Sequence, residues 1–253
     1  MLSETQLEVM KTSIISSLAL VSMLLLGAAT SGCTITTGPG DGRTGTGTTN
    51  PPPDSGCHSG NCNPNPNPNP DPGPQCDTFN AESGEEVTVE NCETVYAYGA
   101  IVHGNNGSKA YLYNGSLGYV NNGAQMFVYD ASEADVYDGG FARGENGSTI
   151  YVYNGGDAEG KAGSSLVIDN GGNGTGYNGS VVQVLSGGYA QAESGAQLLN
   201  EDGGLADVYG GSQTWAYANS QTYAHDGATV YMCSPYATVH ADPGADVVAA
   251  DCN

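Results

Sequence analysis

The segment Lys109-Ala110-Tyr111-Leu112-Tyr113-Asn114-Gly115-Ser116 returns in outline as Thr149-Ile150-Tyr151-Val152-Tyr153-Asn154-Gly155-Gly156. It returns again as Val181-Val182-Gln183-Val184-Leu185-Ser186-Gly187-Gly188. Each octad alternates over five residues and then spends three on turn chemistry, which reads as a short strand and a tight corner. The period runs from residue 77 to residue 252 and reads as 22 octads without a slip. Between residues 101 and 244, positions 2 and 4 of 18 octads hold apolar residues or Gly at 31 of 36 places; the exceptions are Asn200, Thr214, Thr222, Thr238 and His240. Positions 1, 3 and 5 collect Arg143, Glu145, Glu159 and Lys161 among other polar and aromatic residues. Positions 2 and 4 are therefore expected to face inward and 1, 3 and 5 outward. Position 7 is Gly in 14 of the 18 octads, and position 6 is mostly Asn, Asp or Ser. Those residues accept the left-handed backbone of a sharp corner.

A short repeat cannot bury its apolar side alone, but stacked repeats can. Three coincidences set the coil at two octads, or 16 residues. Large inward pairs (Ile150/Val152, Leu166/Ile168, Val182/Val184) alternate by octad with small ones (Ala142/Gly144, Ala158/Gly160, Gly174/Gly176). Arg143 and Glu159 stand 16 apart, as do Glu145 and Lys161, which would put opposite charges on adjacent rungs. Cys76 and Cys92 share that spacing, and rungs ~4.8 Å apart lie within disulfide reach. The fold class is thus all-β: a β-solenoid, of β-helix or β-roll type, built from 8-residue strand-turn repeats and about 50 Å tall over eleven coils. Octad 85–92 breaks the inward rule with Glu86, and the last octad brings Asp246, Asp251 and Cys252. Charged, disulfide-tied ends are expected to cover the open sheet edges. Cys233 and Cys252 are 19 apart, so their pairing needs the tail to fold back.

Composition narrows the function. Of 253 residues 39 are Gly, 16 are Tyr and only 13% are charged; 5 Lys+Arg against 27 Asp+Glu give a net charge of −22. Such a surface repels phosphate backbones, which excludes nucleic acid as a partner. The scarcity of Leu, Ile and Phe argues against an ordinary globular enzyme core.

Three segments precede or form the repeat. Residues 1–32 read as a signal peptide: Lys11, then an apolar run from Ile14 to Ala29 that is short for a membrane span. Translation starts at Met1 or at Met10, since Glu4 and Glu8 are unusual before such a run. Residues 33–75 form a tether, Thr/Gly-rich and then Pro-rich with alternating Asn-Pro from Asn63 to Pro70, expected to be part flexible coil and part polyproline II. Residues 76–253 carry the solenoid.

Thr30-Ser31-Gly32-Cys33 resembles a bacterial lipobox, in which small residues precede a Cys that is acylated and becomes the mature N-terminus; Thr30 departs from the usual Leu. The resemblance implies lipidation of Cys33 and a membrane anchor, as in palmitate-bearing lipoproteins; ordinary cleavage near Ala29–Ser31 is the alternative. With Cys33 acylated, six of the seven Cys remain: Cys57, Cys62, Cys76, Cys92, Cys233 and Cys252. An even number in an oxidising compartment favours disulfides. Cys57 and Cys62, with His58 between them, read as a small disulfide loop rather than half a metal site.

The octads are similar to the strand-turn repeats of bacterial surface β-solenoids, especially autotransporter adhesin passengers, over residues 77–252. That resemblance implies an adhesive or structural protein of the cell envelope, at the outer membrane or cell surface, with the lipid anchor in place of a C-terminal membrane barrel. The repeats also resemble calcium-binding β-rolls, but the period is eight and Gly176 stands where that family places a ligand Asp. No metal and no other cofactor is expected.

Catalytic chemistry has little to build on. Outward carboxylates (Asp135, Glu145, Glu159, Asp169, Glu193, Glu201, Asp207) read as a solvated face, and a 16-residue coil leaves no long loops to wall a cleft. His103 and His225 are expected at outward or turn-adjacent positions and His240 inward, without a triad. The chain is read as non-catalytic; the alternative is a carbohydrate-active lyase or hydrolase on a small β-helix. The candidate binding patch is aromatic: Tyr111, Tyr113, Phe127 and Tyr129, stacked on the thin wall. These rings either stabilise the sheet across rungs or contact surface glycans or another surface protein.

Overall fold

The computed structural model describes residues 76–252, which form 22 strands and, among the described residues, no helix. Two strands make a coil. Coils 1 to 4 contain β1 (Thr78–Ala81), β2 (Glu86–Val89), β3 (Thr94–Tyr98), β4 (Ile101–Gly104), β5 (Lys109–Tyr113), β6 (Leu117–Val120), β7 (Gln125–Val128) and β8 (Glu133–Val136). Coils 5 to 8 contain β9 (Phe141–Gly144), β10 (Thr149–Val152), β11 (Asp157–Gly160), β12 (Ser165–Ile168), β13 (Asn173–Gly176), β14 (Val181–Val184), β15 (Tyr189–Ala192) and β16 (Gln197–Asn200). Coils 9 to 11 contain β17 (Leu205–Val208), β18 (Gln213–Ala216), β19 (Gln221–Ala224), β20 (Thr229–Met232), β21 (Thr238–Ala241) and β22 (Asp246–Ala249). Odd-numbered strands form one 11-stranded sheet, sheet A, and even-numbered strands form the other, sheet B. All pairing is parallel, with Ile150 beside Leu166 and Ala158 beside Gly174. The chain is a β-solenoid of eleven coils.

The 16-residue register holds through the middle and fails once at each end. Thr94 pairs with Lys109 and Glu86 with Ile101, a spacing of 15. Gln221 pairs with Thr238 and Thr229 with Asp246, a spacing of 17. One residue is missing at the Gly99 corner and one is added between Cys233 and Ala237, so the two slips cancel in total length. An uninterrupted run of 22 octads is therefore incorrect. A one-residue slip turns every side chain to the opposite face. Val89, Val95 and Ala97 are buried where the octad frame placed Thr88, Thr94 and Tyr96 inward, and Glu86 points outward. At the other end His240 and Thr238 face outward, and Val239 takes the inward place.

Inside, the two sheets meet over Val, Ile, Leu, Ala and Gly that exclude solvent almost completely. Packing is complementary across the lumen, but the bulky side changes. In coils 5 to 7 sheet B is bulky; a Cβ on Gly174 would overlap Ile168, and one on Gly160 would meet Leu166 Cγ at 2.9 Å. In coils 3 and 4 sheet A is bulky, with Leu112, Met126 and Val128 filling the space left by Gly104 and Gly118. A Cβ on Gly118 would approach Leu112 Cδ1 to 2.7 Å. The candidate aromatic patch thus lies outside the bulky wall of its region, not the thin one.

Position 8 supplies a third inward residue that the alternating pattern does not reveal. Ser116, Ser164, Ser180 and Ser220 are buried there. Each donates its hydroxyl to the carbonyl three residues back (Tyr113, Lys161, Tyr177, Tyr217) at 2.6–2.7 Å. The corner just before it is tight: at Asn105–Ser108, Asn106 and Gly107 both have positive φ (49° and 78°), and Ser108 N donates to Asn105 O at 3.1 Å. Two left-handed central residues define a type I′ turn.

The ends differ. Cys76–Cys92 bridges adjacent rungs, and Cys233–Cys252 ties the last coil despite its separation of 19. Covering of the C-terminal edge by charge is not what forms: Val247 and Val248 remain 42% and 45% exposed, and Ala241 and Ala249 are exposed as well.

Candidate functional site

The four predicted aromatic residues come together on sheet A. Tyr111 stacks on Phe127 and Tyr113 on Tyr129, with centroids 4.9 and 5.1 Å apart. Each column is longer than expected by one ring: Tyr96 stacks on Tyr111 at 4.9 Å and Tyr98 on Tyr113 at 5.4 Å. The unbroken octad frame placed Tyr96 on the inner face, which hid this pair; the slip at Gly99 turns it outward. Burial is the first cause that raises the Tyr113 and Tyr129 hydroxyls above the ordinary phenol range. Parallel stacking one rung apart covers the faces of Tyr111 and Tyr113 on both sides, so these rings present edges and hydroxyls outward. Beyond Phe127 the column continues with Arg143.

Arg143 holds Glu159 through Nε at 2.9 Å and Nη2 at 2.6 Å, the pair anticipated from the 16-residue spacing. Glu145 and Lys161 share that spacing without forming an ion pair; the Lys161 ammonium lies 6.0 Å from the Tyr177 ring centroid instead. Beside Glu159 a trough of about 290 Å³ opens over β9, β11, β13 and β15, lined by Phe141, Asp157, Glu159, Asn173, Thr175 and Tyr189. Asn173 Nδ2 donates to Asp157 Oδ1 at 3.1 Å on its floor. Phe141 and Tyr189 stand at its two ends, three rungs apart. The Tyr189 hydroxyl is pushed up to about 12, first by burial and then by its hydrogen bond to Asp207 Oδ2 at 2.6 Å.

Sheet B carries a second aromatic surface centred on a carboxylate. Asp135, at the middle of β8, pairs in register with Tyr119 of β6 below and Tyr151 of β10 above. Tyr137 follows it on its own rung and stacks on Tyr153 at 5.3 Å. Tyr119 is stacked on His103 at 4.9 Å, so its other face turns toward Asp135. Burial first, then Glu133, lift the Asp135 carboxyl to about 6. Its charge in turn raises the hydroxyls of Tyr119, Tyr137, Tyr151 and Tyr153, the last to about 12, with burial again the first cause at each. Further along the sheet Trp215 stacks on Tyr231 at 5.3 Å.

The described histidines, His103, His225 and His240, are outward and paired to carboxylates or rings. His103 Nε2 lies 2.9 Å from Glu86 Oε1, and His225 Nδ1 lies 2.9 Å from Asp242 Oδ2. His240 stacks on Tyr223, which corrects its inward placement. Among the described residues no group of three or more His, Cys, Asp or Glu is arranged to hold a metal. Cys33, Cys57 and Cys62 lie outside the described residues, as do the signal segment and the tether.

No protein-family model matches the chain, and comparison with curated proteins finds no match. Among solved structures it is similar to the TibC-catalysed, hyper-glycosylated TibA55-350 fragment, at 17% identity and a TM-score of 0.33, over 68% of this chain and 94% of that one.

Proposed function

We propose that the protein is a non-catalytic structural or adhesive rod of a bacterial cell surface, anchored through an acylated Cys33. The observation that carries this reading is the solenoid itself: 22 strands of four or five residues in two parallel sheets, joined by short corners and tied near both ends by disulfides. Disulfides persist outside the reducing cytoplasm. A rigid rod behind a Pro- and Gly-rich spacer suits display at a distance from a membrane. The outward aromatic and acidic columns supply the contact surface, with surface glycans or another surface protein as partner.

The anchor is tested by fractionation: Cys33→Ser should move the protein from the detergent-extracted membrane fraction to the soluble one. Recovery of the variant with membranes would overturn it. The adhesive role is tested by comparing cells that express the chain with cells that do not on a glycan array. The trough between Phe141 and Tyr189, with Asp157 and Glu159 inside it, favours carbohydrate contact as a second reading, and a reducing-sugar assay over the same glycans separates binding from hydrolysis.

A further inference from the structure

Sheet B holds a carboxylate that, among the described residues, has no Lys or Arg on its own sheet. The Asp135 side chain sits half-buried in the wall of rings, and among the described residues its carboxylate accepts no hydrogen bond and makes no ion pair. The described Lys and Arg residues are Lys109, Arg143 and Lys161. All three belong to sheet A or the residue that follows one of its strands. An aspartate desolvated this way, in a sheet that could as easily carry Asn or Thr, costs stability unless something pairs with it.

The geometry states what would. Tyr119 and Tyr151 are two rungs apart, so their rings are separated by ~10 Å along the axis. The side chain on the intervening rung is the short Asp135. A cation centred between the rings would lie ~5 Å from each face, inside the ~6 Å range of a cation–π contact. Tyr137 and Tyr153, stacked beside the gap, close one flank. Ring faces attract soft, weakly hydrated cations, and the carboxylate at the floor supplies the countercharge. A hard metal ion is poorly served, since it needs six or more oxygens and finds one carboxylate between the rings. We infer that Tyr119, Asp135, Tyr137, Tyr151 and Tyr153 form an aromatic cage that binds an organic ammonium group of the quaternary type, as carried by choline. This site is independent of the anchor and of glycan adhesion.

Ionised Asp135 is required, so binding should weaken as pH falls below about 6. Groups facing it are Glu133 on its own strand, Tyr119 with His103 and Glu86 beneath, and Tyr151, Tyr153 and Asp169 above. Of these, His103 is the group that carries a positive charge when protonated. Gaining positive charge there would repel the ligand in the same direction, so His103→Gln is included to separate the two.

The test is calorimetry or ligand-observed NMR on the full chain with tetramethylammonium chloride and choline chloride, at fixed ionic strength against NaCl. Saturable binding is expected with both. Asp135→Asn should weaken it at least tenfold while leaving the melting temperature unchanged or higher. Tyr119→Leu and Tyr151→Leu should each weaken it by a similar factor. His103→Gln should retain the loss of binding below pH 6. Phosphatidylcholine vesicles form a separate arm: binding to free choline alone assigns a soluble ligand, and binding to both assigns a headgroup. Absence of saturable binding to either ammonium probe, or equal binding by wild type and Asp135→Asn, would overturn the proposal.

Discussion

Coils 3 and 4 and coils 5 to 7 solve the same packing problem in opposite ways. In the first region sheet A points Leu112, Met126 and Val128 across to Gly104 and Gly118; in the second, sheet B points Ile150, Leu166 and Ile168 across to Gly144, Gly160 and Gly174. The lumen has a fixed width because the corners fix it, so what must stay constant is the summed volume of a facing pair. Which wall is bulky is free. The outer faces vary independently: sheet A wears stacked rings over coils 2 to 4 and a polar trough over coils 5 to 8. Inner and outer surfaces are uncoupled by the two-residue alternation of each strand. The outside can therefore diversify without disturbing the core.

The largest effect is expected from a charge placed in either bulky wall. Leu112→Asp and Ile168→Asp each bury an unpaired carboxylate and should cost several kcal/mol. Thermal melting should show loss of the cooperative transition or a fall of many degrees in both. The outward neighbour Val167→Asp should change stability by roughly 0.5 kcal/mol or less. Equal effects at Val167 and Ile168 would reverse the face assignment.

Overpacking distinguishes the two regions from each other. Gly118→Val and Gly174→Val should each destabilise by about 1–3 kcal/mol or more, since both force side chains into occupied space. Met126→Ala should recover part of the loss in Gly118→Val and none in Gly174→Val. Recovery of both would mean that the volumes are not matched locally.

Charge on the outer wall gives a smaller effect of known sign. Asp135 titrates at about 6 in the folded chain, against an ordinary carboxylate at ~3.9 when unfolded. A raised carboxyl holds its proton more tightly in the folded state, so folding gains as pH falls through 6 and the gain is complete below ~4. At neutral pH the ionised group costs stability. Asp135→Asn should then melt higher than wild type at pH 7 by the equivalent of roughly 1–2 kcal/mol, after allowance for solvent screening. The difference should close by pH 4. A constant difference across that range would remove titration as its cause.

The smallest effect concerns the ion pair at the border of the polar trough. A double-mutant cycle between Arg143→Glu and Glu159→Arg should show a coupling of about 0.2–1 kcal/mol, reduced by salt. Additive effects would show that the hydrogen-bonded geometry contributes nothing net.

Much of the fold was legible because alternation, Asn-Gly corners and the coincidences at 16 residues all report the same coil. The interior of the solenoid followed from positions 2 and 4 over coils 3 to 10. What escaped were the two slips, which cancel and leave the total at a multiple of eight. Their traces were present: Glu86, His240 and Asp246 occupied inward places that hold no other Asp, Glu, His, Lys or Arg. Reading them as end effects inverted the faces of coil 1, β3 and coil 11, and with them the roles of Tyr96, Tyr98 and His240. The buried Ser at position 8 escaped for a different reason, since a small polar residue beside Gly is indistinguishable in sequence from an exposed turn. The aromatic patch was legible as a set of neighbours. That its inner rings lie face to face follows from side-chain orientation, which spacing alone does not fix. The carboxylate among the tyrosines of sheet B was visible only as one of several outward acids.

Because every outward column advances by one rung at a time, gaps between rings come in whole steps of ~4.8 Å. Rings on neighbouring rungs, such as Tyr96 and Tyr111, close on each other and admit nothing. Rings two rungs apart, Tyr119 and Tyr151, leave width for one small cation. Phe141 and Tyr189, three rungs apart, leave a trough large enough for a sugar. The width of each opening is thus a whole number of rungs written into the chain, and moving one aromatic residue by 16 positions would convert one kind of opening into the next.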